Sequence, residues 1–165
     1  MSRLVLGLVG IAGIGCWLLT GANVISAPQQ PTSSSSVQDL EGTASQKERA
    51  ISPAVITRGG RIIWLAGQTT TEDLNGKSLM GDFQGQARTV FALMDRTLKR
   101  SGGSLHNLVT MTVFINDARY GDQFVKMRRE MFPDGKFPAS ALITVSNFAQ
   151  PGILIEIQGV AVIGE

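Results

Sequence analysis

Apolar positions recur every second residue in Ile153-Leu154-Ile155-Glu156-Ile157-Gln158-Gly159-Val160-Ala161-Val162. The odd positions Ile153, Ile155, Ile157 and Ala161 share one face of a strand and turn it toward a core. The even face carries Glu156 and Gln158 among Leu154, Val160 and Val162. An ionised carboxylate is costly to bury without partners. Two readings of Glu156 therefore stay open: an acid on a sheet edge or barrel wall, solvated or satisfied by a neighbour, or an acid held in a pocket for proton transfer.

The same reading places the other elements. Ala54 to Thr57 and Arg61 to Ala66 are short strand-like runs, and Arg58-Gly59-Gly60 between them predicts a hairpin turn. Gly67-Gln68 closes the second run, and Thr69 to Met80 is a loop with an Asn75-Gly76 turn inside it. Asp82 is a good N-cap for a helix whose stripe is Phe83, Ala87, Val90, Phe91, Met94 and Leu98. Lys99-Arg100 suit the negative end of that helix, and Gly102-Gly103 end it. A strand follows over 107–115, then a short helix within 117–131 with Phe124, Met127 and Met131 inward. A strand over 139–145 and the alternating stretch at 153–162 complete the chain.

The order ββαβαββ predicts an α+β domain with two helices on one face of a mixed sheet. The second sheet face draws its candidates from Trp64, Ala66, Phe114, Leu142, Leu154, Val160 and Val162. A patch that apolar is abnormal on a monomer, so the pattern predicts an oligomer packing sheet against sheet.

The first part of the chain reads differently. Residues 1–27 hold one charge, Arg3, an apolar run from Leu4 to Leu19, and small residues up to Ala27. This is the pattern of a secretory leader. It predicts export to the periplasm or beyond, with cleavage after Ala22 or Ala27, or a tether to the membrane through residues 4–25 where the leader is kept. Residues 28–47, with Ser33 to Ser36 at their centre, read as a disordered linker. Residues 48–165 make the folded domain. The sole cysteine, Cys16, lies in the leader, so the exported part has no thiol. A formal charge of +2 from 15 basic and 13 acidic residues, without a basic stripe, speaks against nucleic acid as a partner.

Taken together, Ile62-Ile63-Trp64-Leu65-Ala66-Gly67-Gln68, the helix from Gln86-Ala87-Arg88, Gly102-Gly103-Ser104-Leu105, Val109 to Ile115, Phe137-Pro138-Ala139 and Ile155-Glu156-Ile157 resemble the Rid family. These are the reactive-intermediate deaminases, also labelled L-PSP endoribonucleases. The resemblance covers residues 50–163 in order. It implies a chorismate-mutase-like fold, a homotrimer whose sheets form a central barrel, and three small-molecule clefts between subunits. It also implies hydrolysis of enamines and imines without a metal or organic cofactor, an Arg holding the substrate carboxylate and a Glu serving the attacking water.

Carried onto this sequence, the resemblance makes Glu156 the catalytic acid and Gly67 the pocket glycine whose backbone meets substrate. The family Arg, however, is Ser140 here, and Leu142 stands at the neighbouring contact position. Ala66 replaces the usual Ser before Gly67. A charge-assisted bond to a carboxylate contributes about 1.5–3 kcal/mol, roughly 10- to 150-fold in binding. Arg58, Arg61 and Arg119 are the candidates to supply that charge from a neighbouring subunit, though all three lie on turns or loops. The expectation is a divergent member, lacking that Arg, that is not a standard 2-iminoacid deaminase. The alternative is a trimeric module that binds a small neutral ligand without turnover. His106, the only histidine, reads as a surface residue.

Overall fold

The computed structural model describes residues 35–164. The expected leader and the first part of the expected linker lie outside that range. The elements run β1 (Ser36–Asp39), α1 (Ala44–Glu48), β2 (Val55–Arg58), β3 (Arg61–Gln68), α2 (Phe83–Arg100), β4 (Leu108–Ile115), α3 (Gly121–Met131), β5 (Ala139–Thr144) and β6 (Ile155–Ile163). From β2 onward this is the expected ββαβαββ order.

A four-stranded sheet has the order β3-β6-β4-β5. It is mixed: β6 is antiparallel to both β3 and β4, and β4 is parallel to β5. The alternating stretch is thus a central strand, buried on its odd face at Ile153, Ile155, Ile157 and Ala161. Helix α2 begins at Asp82, whose side chain accepts from the Gly85 amide. All six residues of its expected stripe are buried, and they pack with Met111, Val113 and Ile115 of β4 in a single core. Helix α3 adds Phe124 and Met127.

Two expectations fail upstream. Residues 36–47 do not continue the linker. β1 pairs antiparallel with β2, and Thr43 starts α1 with a reciprocal capping box: its hydroxyl accepts from the Gln46 amide while Gln46 Oε1 accepts from the Thr43 amide. A polar strand needs little core when a neighbour satisfies its backbone. The second failure follows from the first. β2 pairs with β1 in a separate two-stranded sheet, not with β3 as a hairpin. Gly59 and Gly60 do turn the chain, both at positive φ, but they lead it from one sheet into another.

Register also corrects the second sheet face. Opposite residues of paired strands point to the same side. Met111 lies opposite Ser140 and Val113 opposite Leu142, so Ser140 and Leu142 point toward the helices. Leu142 and Leu154 pack against the core, and Val162 is buried. The face that no helix covers carries Trp64, Val160, Thr110, Thr112, Phe114, Glu156, Gln158 and Ile143.

Candidate functional site

Glu156 lies on the uncovered face, opposite Phe114 of β4. Its strand is pinned from both sides. Buried Gln86 of α2 donates to the Leu79 and Gly152 carbonyls at 3.1 and 2.8 Å and accepts from the Leu154 amide at 2.9 Å. Thr69 donates its hydroxyl to the Ile155 carbonyl at 3.0 Å. β3 breaks its ladder register between Leu65 and Gln68, and this irregularity brings Gly67 beneath Glu156. A Cβ built on Gly67 would sit 2.0 Å from Glu156 Oε1. The carboxylate therefore occupies the space where any other residue would start its side chain, directly over the Gly67 backbone. Glu156, Phe114, Val145, Asn147, Phe148 and Ala149 line an open groove of about 280 Å³. Among the described residues, no cation lies within salt-bridge reach of Glu156. The result is a half-buried carboxylate beside aromatic and aliphatic walls, with oxygens that can accept a hydrogen bond from a bound molecule.

Ser140 and Leu142 are on the other face of the sheet, on its edge strand. Within one chain they do not meet Glu156 and Gly67. Ser140 has a neighbour that sequence reasoning missed. Arg128 Nη1 donates to Ser140 Oγ at 2.7 Å, and Arg128 Nη2 donates to the Arg49 carbonyl at 2.6 Å. The cation behind position 140 is thus Arg128, which was not among the candidates Arg58, Arg61 and Arg119. The guanidinium comes from helix α3 and not from strand β5. The signal was present in the spacing: Phe124, Met127, Arg128 and Met131 are the i, i+3, i+4 and i+7 positions of one stripe. Arg128 is 2% exposed. Burial, followed by the nearby charge of Arg49, lowers its pKa to about 10.

Of the three arginines expected to replace the family Arg, two are engaged elsewhere in the chain. Arg61 donates to the Ser101 carbonyl at the end of α2, at 2.7 Å. Arg119 pairs with Asp117 and holds that carboxyl at about 2, well below the usual range. Arg58 is exposed at the end of β2. His106 is exposed, its ring edge-on to Phe132 with centroids 5.9 Å apart. Among the described residues, no three His, Cys, Asp or Glu side chains gather as a metal site needs.

Comparison with known proteins agrees with this architecture. The family model "Endoribonuclease L-PSP" matches residues 43–163, starting at the N-cap of α1. A RutC family protein of Pyrococcus horikoshii is 30% identical over 107 residues, 63% of this chain and 81% of that relative. The crystal structure of the Rid family protein YyfB from Yersinia pestis superposes with a TM-score of 0.68 at 22% identity, over 78% of this chain and 98% of that one. Yeast Mmf1 gives a TM-score of 0.55 at 22% identity, over 77% and 98%. The fold is the chorismate-mutase-like one of these Rid proteins. With a family match spanning most of the chain and both sheet faces accounted for, the chain belongs to the endoribonuclease L-PSP, or Rid, family.

Proposed function

We propose that this protein binds a small molecule in a cleft between subunits of a homotrimer and hydrolyses an enamine- or imine-type C=N bond there. One observation carries the reading: the Glu156 carboxylate rests over the Gly67 backbone in a groove that one chain leaves open. In this reading a second copy closes the groove and brings its edge strand, with Ser140 and Leu142, against the first copy's Glu156. Glu156 accepts a proton from water as its oxygen attacks the C=N carbon and returns that proton to the nitrogen; the C–N bond of the resulting carbinolamine then breaks, leaving a carbonyl compound and ammonia. Gly67 offers backbone groups to the substrate where a side chain would block the approach. Ser140 at the family's Arg position makes a standard 2-iminoacid a poor substrate.

The test is hydrolysis of an enamine generated in situ from an amino acid. Glu156→Gln keeps the shape and removes the base; we expect turnover to fall by 10²-fold or more, on the order of what general base catalysis contributes. Turnover as fast as that of a strand-Arg relative would refute the non-standard part, and turnover indifferent to Glu156→Gln would refute the role of Glu156. A non-catalytic module is the second reading, favoured by the apolar groove walls Phe114, Val145, Phe148 and Ala149. If the module only binds, Glu156→Ala leaves ligand affinity nearly unchanged and no substrate is turned over by either form. The leader pattern at residues 4–25 supports export or membrane tethering as the setting for either function.

A further inference from the structure

Arg128 is the only charged side chain among the buried residues of the described structure. A buried cation is exceptional and is nearly always paired with an acid. Arg128 has none: among the described residues no carboxylate lies within salt-bridge reach, and its Nε–H has no acceptor. The Phe124 ring, 5.3 Å from its Cζ, is its only other electrostatic partner apart from the two bonds already described. Docking α1 is an incomplete reason for such a group, because Arg129 already serves the end of that helix through the Glu48 carbonyl at 2.6 Å.

The second bond of Arg128 has a consequence for Ser140. A hydroxyl has one proton to donate and two lone pairs to accept with. The Arg128 guanidinium occupies a lone pair, so the Ser140 oxygen is held inward and its proton is left for another acceptor. None of the described side-chain bonds uses that proton. Ser140 is half-buried on the edge strand, between the small residues Ala139 and Ala141.

We infer that Arg128 is a positioning residue for ligand recognition: acting through Ser140, it presents a polarised hydroxyl to an anionic oxygen, a carboxylate in the first instance, on the molecule that enters the cleft. The inference rests on the cleft reading above and deepens it. The charge stands one hydroxyl behind the ligand, so the site makes a single donor contact, not a bidentate clamp. The preference for an anion is then modest, and it depends on both residues together.

The experiment compares an isosteric pair, butyrate and butyramide, by NMR titration of the full chain. We expect butyrate to bind about 10-fold tighter than butyramide, the low end of a charge-assisted contact. Ser140→Ala should bring the ratio to about 1, Ser140→Thr should keep it, and Arg128→Met should abolish it. A purely structural role would lower both affinities together and leave the ratio intact. Should Arg128→Met fail to fold, the Ala and Thr variants at Ser140 still decide the matter. A wild-type ratio near 1 with both compounds bound overturns this inference alone. A ratio that survives Ser140→Ala overturns it as well. Failure of both compounds to bind at tens of millimolar overturns the cleft reading and this inference with it.

Discussion

Glu156 and Gly67 form one unit at the scale of single residues. A methyl group on Gly67 would meet the Glu156 carboxylate at 2.0 Å and its Cδ at 2.9 Å. Both are the far end of a flexible side chain, which can swing aside at the cost of a rotamer change, on the order of 1 kcal/mol. Gly67→Ala is therefore expected to leave the melting temperature within a few degrees of wild type while moving the carboxylate off the strand. Activity or ligand affinity should fall toward that of Glu156→Gln, checked by the same hydrolysis assay beside a thermal melt. A variant that melts normally and turns over normally would show that the placement of Glu156 does not matter. The pairing of these two residues was legible in the sequence only through the family resemblance, because no local pattern says that a glycine at a strand end lies under an acid ninety residues later. Arg128 shows the opposite case. Its spacing puts it on the inner stripe of α3 with Phe124, Met127 and Met131, while its charge would favour solvent. The structure decides for period: inside, the guanidinium meets Ser140, the Arg49 carbonyl and the Phe124 ring.

At the scale of elements, the strongest periodicities were the most informative. The stripes of α2 and β6 are longer than two turns or four alternations, and every apolar position expected to be buried on them is buried. Short elements fared worse. β1 is four residues, Val37 among three polar ones, and nothing in such a run distinguishes a strand from a linker until a partner supplies its hydrogen bonds. α1 had a readable signal in Thr43-Ala44-Ser45-Gln46, the capping-box spacing, outweighed by the polar composition around it. The β2–β3 hairpin was a reasonable inference from Gly59-Gly60 that β1 defeats by pairing with β2 first. Gly159 marks a close approach of two elements. A Cβ there would lie 2.8 Å from the Thr110 carbonyl and 3.0 Å from Leu108 Cδ2, at the register shift between β4 and β6. Backbone cannot swing aside as a carboxylate can. Gly159→Ala is expected to destabilise the fold by about 2 kcal/mol, in the range of core overpacking. That should appear as a lower urea midpoint with an unchanged slope. An unchanged midpoint would mean that β4 and β6 can separate locally without cost.

For the whole molecule the central fact is an imbalance between the two sheet faces. α2 and α3 pack on one face. The other exposes Trp64 at 79%, Ile62 at 56% and Ile143 at 42%. Trp64 stands on the edge strand β3, opposite Val160 of β6. Taking one indole out of water is worth about 3 kcal/mol, and a face carrying several such groups gains several times that on burial. A charge at the same place would have to be desolvated unpaired against its symmetry mates. Trp64→Glu is therefore expected to convert an oligomer into monomers. Light scattering at micromolar concentration reads this directly: wild type should run at the mass of three chains and the variant at one. Since Trp64 touches neither Glu156 nor Ser140 within the chain, the variant also separates assembly from chemistry. If the groove needs a second copy to close it, Trp64→Glu loses ligand binding although Glu156, Gly67, Ser140 and Arg128 are all in place. A wild-type protein that is already monomeric would remove the physical reason for a shared cleft. A monomeric variant that still bound ligand would place the whole site within one chain.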